Sequence, residues 1–530
     1  MAEKGTNVID HKKSRLEELE GFGKFQSLQY ILICVPLLFV SMMNVNYVFV
    51  AGDVDYRCVV PDCEKEPTVV RPSWWPVGVD EKCIQPIVDY AAFNGSCTNA
   101  TFIDKLAVCE QWIYESNNSI VSELNLACQS WKSTLVGSIH NAGMIASMML
   151  LGWISDRYGR KPAVIICSVG GCIGVVKCFL TSYYAFIAVE FLESAISSGL
   201  YTVAIVLMIE AGGQSTRVLA GVIFSCAVYV GEAIFAFIAM FVPYWKHLIL
   251  LIYSPAIIFV IYIFLLREST RWQMLKGKIK EAKDTLIIVA KVNSIDISPK
   301  QIMDLKDEEL RKVYTLEDDM KDKVLLKDIL ESKEIMKRLG VLSFAFFSAG
   351  FVYYGLTVNS VLLPGNKYTN FILSSVSSFP GDILAFFTFN KFGRKISLMY
   401  GFFACGIFCV ATAYSPDCVP WLKIVLFLCG KMAVALCCTG MYTYSLELFP
   451  TSVRGSLVAF CNTGARIGSM LAPLTPLLAS TVTELPTILF AGSAALAGLL
   501  LTFTPETKNM PLVDTIEQME TVKPNTSTVL

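Results

Sequence analysis

The sequence predicts an all-α membrane protein with 12 transmembrane helices in two six-helix halves, and three observations carry the prediction. First, 54% of its 530 residues are hydrophobic and only 17% are charged, with a net charge of -1, where soluble domains carry about a quarter charged residues. Second, the apolar residues collect in runs of about 20, the length of helix that crosses roughly 30 Å of hydrocarbon. Third, charged motifs at the ends of these runs recur once along the chain, in the same order and at a nearly constant offset.

A polar tail comes first, at 1–27. It lacks a small-residue cleavage site after a short apolar core, so no secretory signal peptide is expected. The apolar runs then lie near 28–51, 134–154, 162–181, 183–210, 217–242 and 246–266, and again near 339–363, 371–390, 396–415, 420–445, 455–479 and 483–504. The first half is therefore 28–266 and the second 339–504. A polar central loop at 267–338 separates them, with KGKIKEAKDTLIIVAKV in amphipathic helical spacing, and a second tail follows at 505–530.

Lys and Arg in the short loops set the orientation. Arg157, Arg160 and Lys161, then Arg217, then Lys391, Arg394 and Lys395, then Arg454 all fall in alternate loops. Both termini and the central loop are expected in the cytosol, in a multi-pass plasma-membrane protein. The insert at 52–133 is then extracellular. It holds Cys58, Cys63, Cys83, Cys97, Cys109 and Cys128, an even set suited to three disulfides in an oxidising space. It also holds glycosylation acceptors at Asn94, Asn99 and Asn117. The other cysteines have no metal-ligand spacing and read as small core residues, so neither metal nor cofactor is expected.

The internal repeat rests on three pairs. SDRYGRK at 155–161 returns as FNKFGRK at 389–395. IEAGGQSTRVLAG at 209–221 aligns with LELFPTSVRGSLV at 446–458, setting Glu210 on Glu447 and Arg217 on Arg454. RESTRW at 267–272 echoes TPETKN at 504–509. Offsets of 234 to 238 residues throughout make the second half a repeat of the first. In GWISDRYGRKPA, at 152–163, Gly159 permits a tight turn and Pro162 suits the first turn of a helix. Asp156 can face a helix N-terminus or pair with a neighbouring Arg. These residues, with Arg157, Arg160, Lys161 and the Glu210, Arg217, Glu447 and Arg454 set, are expected to form a conformational latch that steadies the outward-open state. Asn390 stands where the first half has Asp156, so the stronger latch is expected in the first half.

Paired six-helix halves with a site at the midplane are the build of major facilitator transporters, and GWISDRYGRK resembles the signature of that superfamily. The six-cysteine outer loop, ELNLACQSW, RESTRWQMLKGKIKEA, FVYYGL and LELFPTSVRG are similar, in order, to the organic cation, carnitine and organic anion transporter family, which is solute carrier family 22. The resemblance implies alternating-access transport of small organic cations, zwitterions or anions, with sodium or proton coupling in some branches.

Charges inside spans cost about 2.5 to 3.5 kcal/mol each on insertion scales and mark candidate sites. They are Glu190 and Glu193, Glu232, Asp382, Lys431 and Arg466. Arg466 falls where the resemblance puts Arg in the anion and carnitine branches, and a guanidinium suits a substrate carboxylate. Asp382 falls where the anion branch has Lys, and a carboxylate there attracts an amine. Glu232 adds to that lean. Glu190 departs from the family's R-x-x-x-G pattern; it is expected to attract a cation in an aqueous cavity or, with Glu193, to pair with Lys431. Tyr353 and Tyr354 match a family position for stacking substrate, and being adjacent on a helix they point about 100° apart, so one at most faces the cavity squarely. Tyr229 and Trp245 read as core or interface-belt aromatics, and His140 as a packing residue. The ending NTSTVL, with Thr528 two places before Leu530, fits a PDZ-type partner.

These readings converge on a polyspecific organic ion transporter for amine- or carnitine-like cations and zwitterions, with the lipid bilayer as its other partner. An organic anion transporter is the alternative, and a neutral-solute transporter or non-transporting sensor on the same fold stands behind it. An enzyme is not expected: three scattered histidines, no phosphate loop and no metal motif leave no catalytic residues to name. Nothing suggests nucleic-acid binding.

Overall fold

The computed structural model describes residues 21–508 apart from 65–67, 77, 91–92, 94–96, 99–100, 214–215, 306–328, 330, 417, 451–452 and 480–481. Among them, twelve helical segments match the twelve apolar runs and are numbered α1 to α12. In the first half, α1 is Lys24–Asn44 with a further turn at Tyr47–Val50, α2 is Ser130–Tyr158, and α3 is Arg160–Gly170 continued by a 3-10 helix at Gly171–Phe179. α4 is Tyr183–Ser197 and Leu200–Gly212, α5 is Arg217–Phe241, and α6 runs from Trp245–Tyr253 through Ser254–Ile261 to Tyr262–Leu265. In the second half, α7 is Lys333–Asn359, α8 Lys367–Phe392, α9 Arg394–Ala413 and α10 Pro420–Leu448. α11 is Arg454–Leu471, prolonged through Ala472–Leu474 to Thr475–Ala479, and α12 is Leu485–Leu501. Ten of these are long and apolar enough to cross a membrane, and α12 is apolar but shorter. Arg454, Asn462 and Arg466 dilute the apolar run of α11.

Each half closes around its own apolar cluster, one centred on residues such as Leu37, Phe186 and Trp245 and the other on Phe346, Phe402 and Tyr444. Between helices already surrounded by hydrocarbon, close approach of small residues drives packing. The α7–α11 contact shows this: a Cβ on Gly350 would lie 2.2 Å from the Ala465 carbonyl oxygen, and one on Gly468 2.3 Å from that of Phe347.

The repeat seen in the sequence is also a repeat of geometry. Gly159 and Gly393, each at a helix junction, take φ of 121° and 100°, which L side chains seldom adopt. A Cβ at Gly159 would also meet the Glu268 carboxylate at 2.2 Å, and one at Gly393 the Glu506 carboxylate at 2.7 Å.

The insert adds two small antiparallel ribbons to the helical fold. β1 (Tyr56–Cys58) pairs with β4 (Trp112–Tyr114), and β2 (Ile84–Val88) with β3 (Phe102–Val108). The six expected cysteines pair as Cys58–Cys109, Cys63–Cys97 and Cys83–Cys128, around Val60, Trp75 and Val88. Asn117 is exposed; Asn94 and Asn99, like Thr528 and Leu530 of the tail, lie outside the described residues. In the central loop the amphipathic stretch forms a helix at Ile279–Asn293. It buries Ala282, Leu286, Val289 and Ala290, and Asn293 accepts the Phe25 N–H at 2.8 Å, tying the loop to α1.

The two halves meet firmly at the end that bears the insert. Phe49 of the first half stacks on Tyr368 at 5.1 Å and meets Phe371 at 5.4 Å. Nearby, Gly137 leaves room for Tyr47 and Pro473 to close over it; a Cβ there would reach both within 2.8 Å. At the opposite end, the Asp156 side chain is 77% exposed.

Candidate functional site

The charged residues of the second half's spans each face a residue of the first half. Asp382 on α8 accepts a hydrogen bond from the Tyr229 hydroxyl on α5 at 3.0 Å and one from the Thr439 hydroxyl at 2.5 Å. Lys431 on α10 has Glu232 on α5 as its charged neighbour. Arg466 on α11 faces the hydroxyls of Tyr354, Tyr442 and, from α4, Tyr201. Sidedness within the bundle explains this: each of these side chains lies on the helix face turned away from lipid and toward the seam, where a charge can find a polar neighbour.

Within the seam the groups differ in what they offer a ligand. Asp382 and Arg466 are half-buried, and Tyr442 is 43% exposed while its hydroxyl donates to Asn462 at 2.7 Å. The Arg466 Nε finds no partner. Lys431 is fully buried, donates to the Tyr353 carbonyl at 2.9 Å and to the Thr357 hydroxyl, and sits 3.1 Å from the centre of the Tyr353 ring. Its charge is thus spent on the protein. Tyr353 is buried and Tyr354 half-buried, with their rings 5.6 Å apart and at 76°; Tyr354 is the one that faces the seam. Glu232 is buried with its Oε2 unpartnered.

Glu190 departs from expectation. It lies with Glu193 in a fully buried cluster inside the first half, where its carboxylate meets Lys177 at 2.7 Å and His140 at 2.7 Å. Neither an aqueous cavity nor Lys431 is its partner, because Lys177 on α3 supplies the countercharge. Lys177 was the residue overlooked; a lysine in the middle of an apolar run is a signal in its own right. Tyr229, Tyr201 and Tyr442 were also missed as seam residues, since nothing in an apolar run distinguishes a tyrosine facing a cavity from one in the core. Trp245 is buried against Phe186, as a core aromatic.

The latch residues divide. Arg160 grips Glu210 with Nε and Nη2 at 3.3 and 3.1 Å and Asp156 with Nη1 at 2.6 Å. Glu268 accepts the backbone N–H groups of Arg160 and Lys161 at the start of α3. Burial raises the Glu268 carboxyl above the usual range, against the lowering effect of the backbone bonds from Ser269, Lys161 and Arg160. In the second half Arg394 grips Glu447 at 3.0 Å and Glu506 accepts the Arg394 N–H at 2.9 Å. Both devices therefore bind a half to itself. Arg157 lies over Trp153 and Tyr158, Arg454 donates to the Phe449 carbonyl at 3.2 Å, and the Arg217 side chain is outside the described residues. Glu268, Arg394 and Glu506 complete a set of which the sequence motifs showed only part.

An apolar crevice of about 410 Å³ between α8, α9 and α10, lined by residues such as Phe392, Tyr400 and Phe408, has none of these charges.

Known proteins resemble this chain in sequence and in fold. Residues 91–519 fit the family model described as Sugar (and other) transporter. The chain is 30% identical over 517 residues to the Organic cation transporter protein of Drosophila melanogaster, covering 95% of this chain and 94% of that one. It is 28% identical over 528 residues to Solute carrier family 22 member 3 of Rattus norvegicus, covering 94% of each. The xylose transporter XylE of E. coli, in a partially occluded inward open conformation, superposes with a TM-score of 0.61 at 14% identity over 91% of this chain and 100% of that one, which shows the shared fold. The chain belongs to the sugar (and other) transporter family of the major facilitator superfamily, within the group of organic cation, carnitine and organic anion transporters.

Proposed function

We propose that the seam is a polyspecific binding site from which small organic cations and zwitterions, amine- or carnitine-like, cross the plasma membrane by alternating access. The observation that carries the reading is Asp382: a carboxylate open to the seam, held by two hydroxyls and beside aromatic rings, is a receptor for an ammonium group. Relatives named organic cation transporters support it. Tyr354 supplies a ring, Arg466 takes the carboxylate of a zwitterion, and Tyr353, Lys431 and Glu232 form the supporting layer. Glu190 is not a contact in this scheme.

The termini and central loop lie in the cytosol, and the insert lies outside with Asn94, Asn99 and Asn117 glycosylated. In that frame the sealed end faces outward and the conformation is inward-facing. Thr528 and Leu530 offer the tail to a PDZ-type domain.

A second reading, organic anion transport, is favoured by one observation, the unpartnered Nε of Arg466. Uptake of labelled tetraethylammonium, carnitine and a small aromatic carboxylate into cells separates the two. Cation or carnitine uptake that falls with Asp382→Asn supports the proposal. Uptake of the carboxylate alone, lost with Arg466→Ala, overturns it.

A further inference from the structure

The buried cluster of the first half is built from five of its six helices. α1 contributes Asn44, Asn46 and Tyr47, α2 His140, α3 Lys177, α4 Glu190 and Glu193, and α6 Tyr253. The Tyr47 ring lies 5.7 Å from that of His140. The His140 Nδ1 lies 2.7 Å from Glu190 Oε1, and its Nε2 lies 3.0 Å from Asn44 Oδ1, which also accepts the Ser198 hydroxyl. Lys177 Nζ donates to the other oxygen of Glu190 at 2.7 Å and lies 3.6 Å from Glu193 Oε2. Both Glu193 oxygens already accept, from Ser197 at 2.6 Å and from Tyr253 at 3.3 Å.

Two arguments place a proton here. Both imidazole nitrogens face acceptors, and only the doubly protonated ring donates from both. The charges agree: two carboxylates against one lysine leave an uncompensated negative charge in a fully buried site, which is strongly unfavourable, and an imidazolium cancels it. Three ligand atoms of His140, Glu190 and Glu193 lie within 4.8 Å of one another, but the Lys177 ammonium already sits between the carboxylates, so a proton is the cation that fits.

We propose that this cluster is a proton-binding site, with the proton on His140, whose occupancy regulates transport through the seam. The connection is short. Asn44, bonded to the ring, neighbours the Tyr201 hydroxyl, and Tyr201 faces Arg466. On the other side, His140 is one turn from Gly137, where α2 meets Pro473 of α11. Release transfers the ring proton to water in the seam and leaves the cluster with one net negative charge, which favours an organic cation nearby.

The uptake arm of the test rests on the transport reading above; the titration arm does not. Tetraethylammonium, whose charge is fixed, is taken up at a series of values between about pH 5.5 and pH 8. Wild-type uptake is expected to rise severalfold with pH, and His140→Gln and Glu193→Gln to flatten the profile, the latter because one carboxylate and one lysine balance without a proton. Purified protein titrated in detergent over the same range should release about one more proton per chain than either variant, and the double variant should release no fewer than the singles. Equal proton release by wild type and both variants overturns the proposal, whether or not the protein transports. Absence of uptake at any pH, with the extra proton still released, overturns the transport reading and leaves the proton site standing.

Discussion

Replacing Asp382 by Asn tests the seam most directly. Tyr229 and Thr439 donate to different oxygens of Asp382. Asparagine keeps one of these acceptors and turns the other into an amide NH2, from which the facing hydroxyl can accept on rotating, so the charge is lost, the shape is kept and the fold is expected to survive. A hydrogen bond between charged partners contributes about 1.5 to 3 kcal/mol net. At 1.4 kcal/mol per factor of ten, the apparent affinity for a primary or quaternary amine should fall by roughly 10- to 100-fold. The lower part of that range applies to quaternary amines, which cannot donate a hydrogen bond and rely on the field and on Tyr354. Concentration-dependent uptake, corrected for protein at the cell surface, reads this as a rise in KM. Anion uptake should hold or increase. Equal losses for a cation and an anion, at equal surface amounts, would refute the argument, because they would mark Asp382 as a structural group.

Other consequences follow from the paired latches. Arg160→Ala removes the partner of a Glu210 that is only 11% exposed, whereas Arg394→Ala strips a Glu447 that is 23% exposed. The cost of stranding a carboxylate grows from at most about 1 kcal/mol at an exposed pair to about 3 to 5 kcal/mol at a buried one, and Glu210 is the more buried of the two, so the first variant should melt at the lower temperature in detergent. Because burial raises the Glu268 carboxyl, the folded state takes up that proton at higher pH than the unfolded chain does. The stability of wild type relative to Glu268→Gln should therefore fall as pH rises through the window just above the ordinary carboxylate range, and a flat difference in melting temperature across it would contradict the burial.

Much of the fold was legible because a membrane leaves few choices: every spanning segment must satisfy its own backbone, so apolar length translates into helices almost one for one. Glycine at 159 and 393 marked the same turn twice, and the six cysteines of the insert made an even set suited to pairing among themselves once the loop was placed outside. The site was legible in part. Asp382 and Arg466 stood out because charge is rare in apolar runs, and both do face the seam. What a helix face meets is a tertiary matter, however, and that is where reading from the sequence stopped. Glu190 and Glu232 are equally anomalous in the sequence, yet one is neutralised inside the first half and the other lies across the seam from Lys431. Arg217 and Arg454 enter the latch set by their matching positions alone, while the acids that meet the turns, Glu268 and Glu506, sit 108 and 112 residues away from the N–H groups they accept.

The sequence assigns Asp156 to steadying the outward-open state, and in this conformation, sealed at the insert end, its carboxylate is largely in water and, among the described residues, meets its neighbour Arg160, while its backbone carbonyl accepts from Trp272. An exposed pair of this kind contributes about 0 to 1 kcal/mol, so Asp156 adds little to the state shown here. If it acts as a latch, its energy must be realised in the opposite state, against a helix N-terminus of the other half, where a carboxylate is worth up to about 2 kcal/mol in a partly buried setting. Asp156→Asn should then shift the population toward the conformation sealed by Phe49 and Tyr368, by up to about 30-fold. Cysteines at those two positions, whose rings stack at 5.1 Å, read the seal by the rate of cross-linking. Asp156→Asn should raise that rate in a background where it is not already saturated. An unchanged rate would mean that the motif orients and ties its own half, which positive charge and Glu210 alone accomplish, and that the carboxylate does not choose between states.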